Sequence, residues 1–230
     1  MNSRMKKLGF VLVVVGLGFL IGAGIALNLT MAGNRSLQAF SEAQNVTLSY
    51  NDDGQLVDRG TTEGADAIMT LLTEDWGYPV VMAQLDPADP LVNTPSEYMY
   101  QMATIGYHTL HGSTEVVLAE DVEYNGEVFA AGTYEVQADG KYWTDFDRNH
   151  PLEGPARGAV WSGTAHALIA ELGVGTVTAS TLQLATALAG LIAGLGLVSM
   201  LTGFGLVWVA KDESGKKEIV EPRVLAGSGV

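Results

Sequence analysis

His108 and His111 stand three residues apart in a stretch of helical periodicity, and no other pair in this chain is better suited to holding a metal. Imidazole nitrogens bind copper and zinc, and side chains at i and i+3 share one face of a helix. At 100° per residue, Tyr100, Thr104, Tyr107, His108 and His111 fall on one arc, opposite Tyr98, Met99, Met102, Ala103, Ile105 and Leu110. Acidic residues could complete such a site, and two histidines alone are weak evidence for one. The simpler reading is a solvated polar face with no cofactor. A second group, Asp145-Phe-Asp147-Arg-Asn149, starts like a calcium loop with alternating oxygen ligands. It then departs, with His150 at position six instead of Gly and Ala156 at position twelve instead of Glu. Asp147, Arg148 and Pro151 are therefore expected to build a turn, held by carboxylate-to-amide and charge-assisted bonds. Ser162 and His166 lie one helical turn apart, but no Gly-x-Ser-x-Gly turn is present to expose a nucleophile, so both are expected to serve helix packing. The chain has no cysteine, which removes disulfides, thiolate metal sites and a thiol nucleophile. No set of catalytic residues emerges.

The two histidines need a helix to hold them, and Thr94-Pro95-Ser96-Glu97 is a helix start. Threonine can cap the free amides, proline suits the first turn, and glutamate three residues on completes a capping box. This helix is expected from Pro95 to about Leu110. Upstream, Val46 to Tyr50, a turn at Asn51-Asp-Asp-Gly54 and Gln55 to Val57 predict a short hairpin, and Ala65 to Trp76 a helix stopped by Gly77. A connection from Pro79 to Pro95 follows. Downstream, the runs Val116–Leu118, Val122–Tyr124, Glu127–Phe129 and Thr133–Val136, with turn signals at Asn125-Gly126 and Ala131-Gly132, predict a small antiparallel meander. A helical stretch from about Pro155 to Leu172 comes last. Residues 30–181 thus read as one α+β domain.

Membrane-length apolar runs flank that domain. Leu8 to Leu27 has no charged or strongly polar residue, which as a helix is about 30 Å and matches the hydrocarbon of a bilayer. The run exceeds the apolar region of a secretory signal, so it is expected to be retained despite a weak cleavage site at Thr30-Met31-Ala32. No charge occurs between Glu171 and Lys211, and Trp208 with Lys211, Lys216 and Lys217 marks an interface. The expected division is a cytoplasmic start at 1–7, a transmembrane helix at 8–29, the domain at 30–181, a second transmembrane helix at 182–210 and a cytoplasmic tail at 211–230. Small residues at four-residue spacing, Gly18 and Gly22 in the first span and Thr186, Gly190 and Gly194 in the second, would let helices approach closely. Two uses are open: the spans pack on each other, or they dock on another subunit. Neither span holds an ionisable residue, which argues against a proton or ion path.

Charge assigns the sides. Residues 1–7 carry three basic and no acidic groups, whereas 30–181 carries five basic and twenty-two acidic ones, a net of −17. Basic flanks stay inside, so the domain is expected to be extracytoplasmic with both termini cytoplasmic in the cell membrane. The whole-chain charge of −14, with only twelve basic residues, argues against a phosphate-binding surface and so against nucleic acid as a partner.

The plan of span, acidic outer segment and returning span resembles a group of small actinobacterial membrane proteins often catalogued as aromatic ring-opening dioxygenases. The local match is to a family stretch Gly-Lys-Thr-Tyr-Ala-Glu-Leu-Asp-Arg-Asp-Asp-Pro, which Gly140, Lys141, Asp147, Arg148 and Pro151 meet without a gap, with Trp143, Asp145 and Phe146 as similar types. His108 is similar to a histidine of the family's preceding helix, and residues ~113–138 depart from a family that is shorter there. The resemblance implies topology. Ring cleavage needs a non-haem iron held commonly by two histidines and a carboxylate, a pattern the matched stretch lacks.

These readings lead to two expectations. The first is a non-catalytic accessory or stabilising subunit whose partners are the lipid bilayer and the integral-membrane subunits of a larger complex, such as a copper-dependent membrane monooxygenase or a respiratory complex. The second is an extracytoplasmic metal or small-ligand binding module, with copper or zinc at His108 and His111.

Overall fold

The computed structural model describes residues 2–217, so Glu218, Glu221 and Arg223 of the expected tail lie outside the described residues. The chain is α+β, with two long apolar helices flanking a small sheet domain. It divides into two compact units: residues up to Asn34 with those from Leu182 onward, and Arg35–Thr181.

The first unit is built from the larger part of two helices, α1 (Asn2–Gln44) and the last helix of the chain, Gly163–Lys217, whose remaining turns, 35–44 and 163–181, belong to the second unit. Both are long and apolar enough to cross a membrane, by length and composition. The cleavage-like Thr30-Met31-Ala32 lies inside α1, where the Thr30 hydroxyl donates to the Ala26 carbonyl. The two helices meet on small residues. Gly9, Gly16, Ala23 and Thr30 are buried on one, and Ala189, Gly196, Gly203 and Ala210 on the other, each set at intervals of seven. A Cβ added to Gly9 would lie 2.6 Å from the carbonyl oxygen of Gly203, and one on Gly16 2.6 Å from that of Gly196. Backbone therefore comes close to backbone, and the seven-residue repeat keeps the small residues on one seam along both helices.

This corrects one of the two uses expected for the four-residue pattern. Gly18, Gly22, Gly190 and Gly194 have nothing within 4 Å of where a side chain would begin, and Thr186 is exposed with its hydroxyl on the Leu182 carbonyl. Gly18 is two residues from Gly16 and so stands about 200° round the helix, away from the seam. Large apolar side chains share the outward faces, among them Phe10, Ile21, Leu191, Leu201 and Phe204.

In the second unit Thr61 caps α2 (Thr62–Thr70), which runs into a π-helical turn, Leu71–Asp75, and stops at Gly77 with φ of +65°. Ile68 and Leu72 are fully enclosed there. The expected first hairpin is reduced to a tight turn with isolated bridges: Asn51 and Gln55 close it, while Val46 and Leu48 bond Val92 and Pro90 instead of extending the ladder. Helix α3 (Pro95–Leu110) starts on the expected capping box, with Glu97 Oε2 accepting from Thr94 N at 2.8 Å. It is not one-sided. Tyr98, Tyr100, Ala103, Gly106, Thr109 and Leu110 are buried round most of its girth, because α2, the loop from Tyr78 to Val92, and the helices entering from either end of the unit all pack on it.

Four strands follow, β1 (Ser113–Leu118), β2 (Val122–Tyr124), β3 (Glu127–Phe129) and β4 (Gly132–Gln137). They do not form a meander. β1 pairs with β4 and β2 with β3, one hairpin nested inside another. Only Asn125-Gly126 reverses the chain, with φ of +53° and +83° as a type I′ turn requires. At Ala131-Gly132 the strand continues past a break where the Asp121 carboxylate accepts the Ala131 amide. Helix α4 (Glu153–Val160) ends at Trp161, and α5 (Gly163–Lys217) begins after one intervening residue, so the stretch expected to run unbroken from Pro155 has a corner. Leu71, Leu110, Phe146 and Trp161 form a second buried cluster there.

Candidate functional site

Asp58 ends a short bridge and leads into a turn whose central residues, Arg59 and Gly60, have φ of +48° and +86°. That turn sets the Asp58 carboxylate against α3, where Oδ1 lies 3.0 Å from Nε2 of His108. His111 is spent differently. It caps the end of α3, donates Nδ1–H to the Tyr107 carbonyl at 2.9 Å and stacks on the Tyr107 ring. The two histidines thus have separate partners, and among the described residues no three His, Cys, Asp or Glu side chains converge as a metal site would need. A carboxylate on one imidazole nitrogen orients the ring. His108 faces a cleft of about 550 Å³ bordered by Thr104, Thr109, Ser113 and Ser162. Those hydroxyls are already engaged: Thr104 and Thr109 donate to carbonyls one turn back, Ser113 donates to Glu135, and Ser162 accepts the Ala165 amide. His166 contacts the Ser162 carbonyl through Nδ1 and packs edge-on against Trp143, so Ser162 and His166 do not form a relay.

The segment from Gly140 to Pro151 is a folded turn. Asp147 Oδ1 accepts the Asn149 amide at 2.9 Å and Oδ2 the Tyr124 hydroxyl at 2.6 Å, and the Tyr124 bond holds the Asp147 carboxyl below its ordinary pKa. The charge-assisted bond at this turn belongs to Lys141 and Glu153, at 2.7 Å, and it lowers the Glu153 pKa in the same way. Arg148 contributes its backbone: a Cβ on Gly154 would meet the Arg148 carbonyl oxygen at 2.6 Å. His150 Nδ1 accepts the amides of Leu152 and Glu153 and so caps α4, a role its sequence neighbours do not announce. Arg157 lies over the Trp143 ring at 3.6 Å, and Trp161 donates to the Lys141 carbonyl.

A second cavity, of about 480 Å³, was not foreseen from the sequence. Its apolar walls come from Leu37 and Phe40 of α1, Ile105 of α3, and Leu168, Leu172 and Val174 of α5. The floor includes a buried hydroxyl pair, Ser41 Oγ and Tyr98 Oη, 2.7 Å apart. A glycine makes this floor, since a Cβ on Gly175 would strike the Tyr98 ring at 2.7 Å. Deeper in the same unit the hydroxyls of Tyr50 and Tyr100 are buried without a hydrogen-bond partner. Burial, with Glu97 and Asp86 nearby, pushes the Tyr50 pKa up to about 12, and burial raises that of Tyr100 as well.

Compared with known proteins, the chain matches no protein-family model, no curated protein and no solved structure.

Proposed function

We propose that the chain is a two-span membrane protein serving as a non-catalytic subunit of a larger integral-membrane complex. The observation that carries the reading is the division of small residues in the two long helices. One set, Gly9, Gly16, Gly196 and Gly203, is used up by the seam within the chain. The other, Gly18, Gly22, Gly190 and Gly194, is open on outward faces among large apolar side chains. Only 11% of the most apolar window of each helix is buried, the reverse of a soluble core helix. In lipid, helices associate by close backbone approach at small residues, so outward glycines at four-residue spacing supply a surface for further helices. The charge balance, three basic residues at 1–7 against a net of −17 over 30–181, supports a reading with the acidic domain outside and the start of the chain inside. Gentle extraction followed by native separation tests the reading: the chain should travel with other integral-membrane proteins in fixed ratio.

The second reading, a small-ligand binding module outside the membrane, is favoured by the cavity under α1, α3 and α5. It requires no metal at His108 and His111, whose partners are Asp58 and the Tyr107 carbonyl.

A further inference from the structure

The 480 Å³ cavity lies in the range of about 300–1,000 Å³ that small-molecule sites occupy, and like them it combines apolar walls with a few polar groups. The polar groups select the ligand. Gln44, Gln101 and Thr178 offer neutral donors and acceptors, and Glu171 is an acid. Among the described residues no lysine, arginine or histidine lines the space, so a phosphate, sulfate or carboxylate head would meet Glu171 with no cation among them to offset it. Ser41 Oγ and Tyr98 Oη share one hydrogen bond, so the hydroxyl that accepts keeps an O–H of its own, a further neutral polar group at the floor. Phe40 and Val174 stay exposed in part, 48% and 66%, at the walls, where solvent contact is unfavourable until something apolar covers them.

We infer that this cavity binds one long-chain neutral lipid, its hydrocarbon along Leu37, Phe40, Ile105 and Val174 and its hydroxyl or carbonyl head at Gln44 and Gln101. Lipid is also the most abundant apolar solute around a chain with two membrane-length helices. The inference stands whether or not the protein joins a larger complex.

The test uses the full chain in phosphatidylcholine nanodiscs with hexadecanol carrying a mid-chain diazirine. After photolysis, cross-linked residues are read by peptide mass spectrometry. The expected result is labelling at Phe40, Ile105 or Val174, competed by unlabelled hexadecanol about tenfold more effectively than by hexadecyl sulfate, whose chain is equal and whose head is a permanent anion. Val174→Trp, at an exposed position, should fill the cavity and remove that labelling while leaving cross-links on the outward Leu191 and Leu201. Gln101→Arg should bring hexadecyl sulfate up to parity. Cross-links confined to the long helices would overturn the site, and equal competition by the sulfate in the unaltered chain would overturn the selectivity. A chain that does not enter nanodiscs contradicts the membrane reading instead, and the same labelling in solution still decides the cavity.

Discussion

Glu97 shows how one residue does two opposed things. Its carboxylate closes the capping box of α3, yet the side chain is almost wholly enclosed, and burial raises its pKa above 4.5 against the lowering effect of the Asn93 and Thr94 amides. A raised carboxyl pKa means the folded state holds its proton more tightly than the unfolded chain does. The stability this gives is complete below the unfolded pKa and is lost as pH rises through the folded one. Glu97→Gln keeps an acceptor oxygen for the amides and removes the charge, so its thermal stability should fall less than the parent's between acid and neutral pH. Parallel profiles by circular dichroism would show that the buried charge has no such cost. Asp147 and Glu153 run the other way: their lowered pKa values give stability above the unfolded pKa that is lost as pH falls through the folded one. At this scale the sequence was informative where chemistry is local. Thr94, Pro95 and Glu97 specify a helix start among themselves, and Asp147 a turn. It was silent where a partner comes from far along the chain, as Asp58 does to His108 and Tyr124 to Asp147.

Elements repeat the lesson. Ile68, Leu71 and Leu72 announce α2 and the π-helical turn that continues it, because helical burial is periodic. The nested hairpin was misread as a meander because Ala131-Gly132 has the composition of a turn while its geometry is set by pairing of Leu118 with Gly132 and Val122 with Phe129. In the long helices, likewise, the four-residue pattern is not the one that packs the two helices on each other. Spacing of four is the familiar sign of close approach, whereas the actual seam repeats every seven residues and mixes Gly with Ala and Thr. That seam gives a sharp contrast between neighbours. Gly16→Leu drives a side chain into the Gly196 carbonyl and Met200, and overpacking of this kind costs roughly 1–3 kcal/mol or more. Gly18→Leu enters open space and should leave the helix pair as stable as the parent. Thermal unfolding in detergent checks both; equal loss in the two variants would contradict the seam.

The whole molecule is read through its distribution of charge and apolar surface. Small residues inside and large apolar residues outside suit a lipid solvent, and the acidic domain between basic-flanked helices suits one orientation. Because the chain lacks cysteine, a single introduced thiol reports its side cleanly. Cysteine at the exposed Val128 should react with an impermeant maleimide on intact cells, and cysteine at Ser3 only after the membrane is opened. The reverse pattern would invert the topology. The proposed role as a subunit is tested most directly by gentle detergent extraction, native separation and mass spectrometry of what comigrates. The account predicts a constant set of integral-membrane partners for the unaltered chain and their loss in Gly18→Leu. Migration of the unaltered chain alone would contradict it.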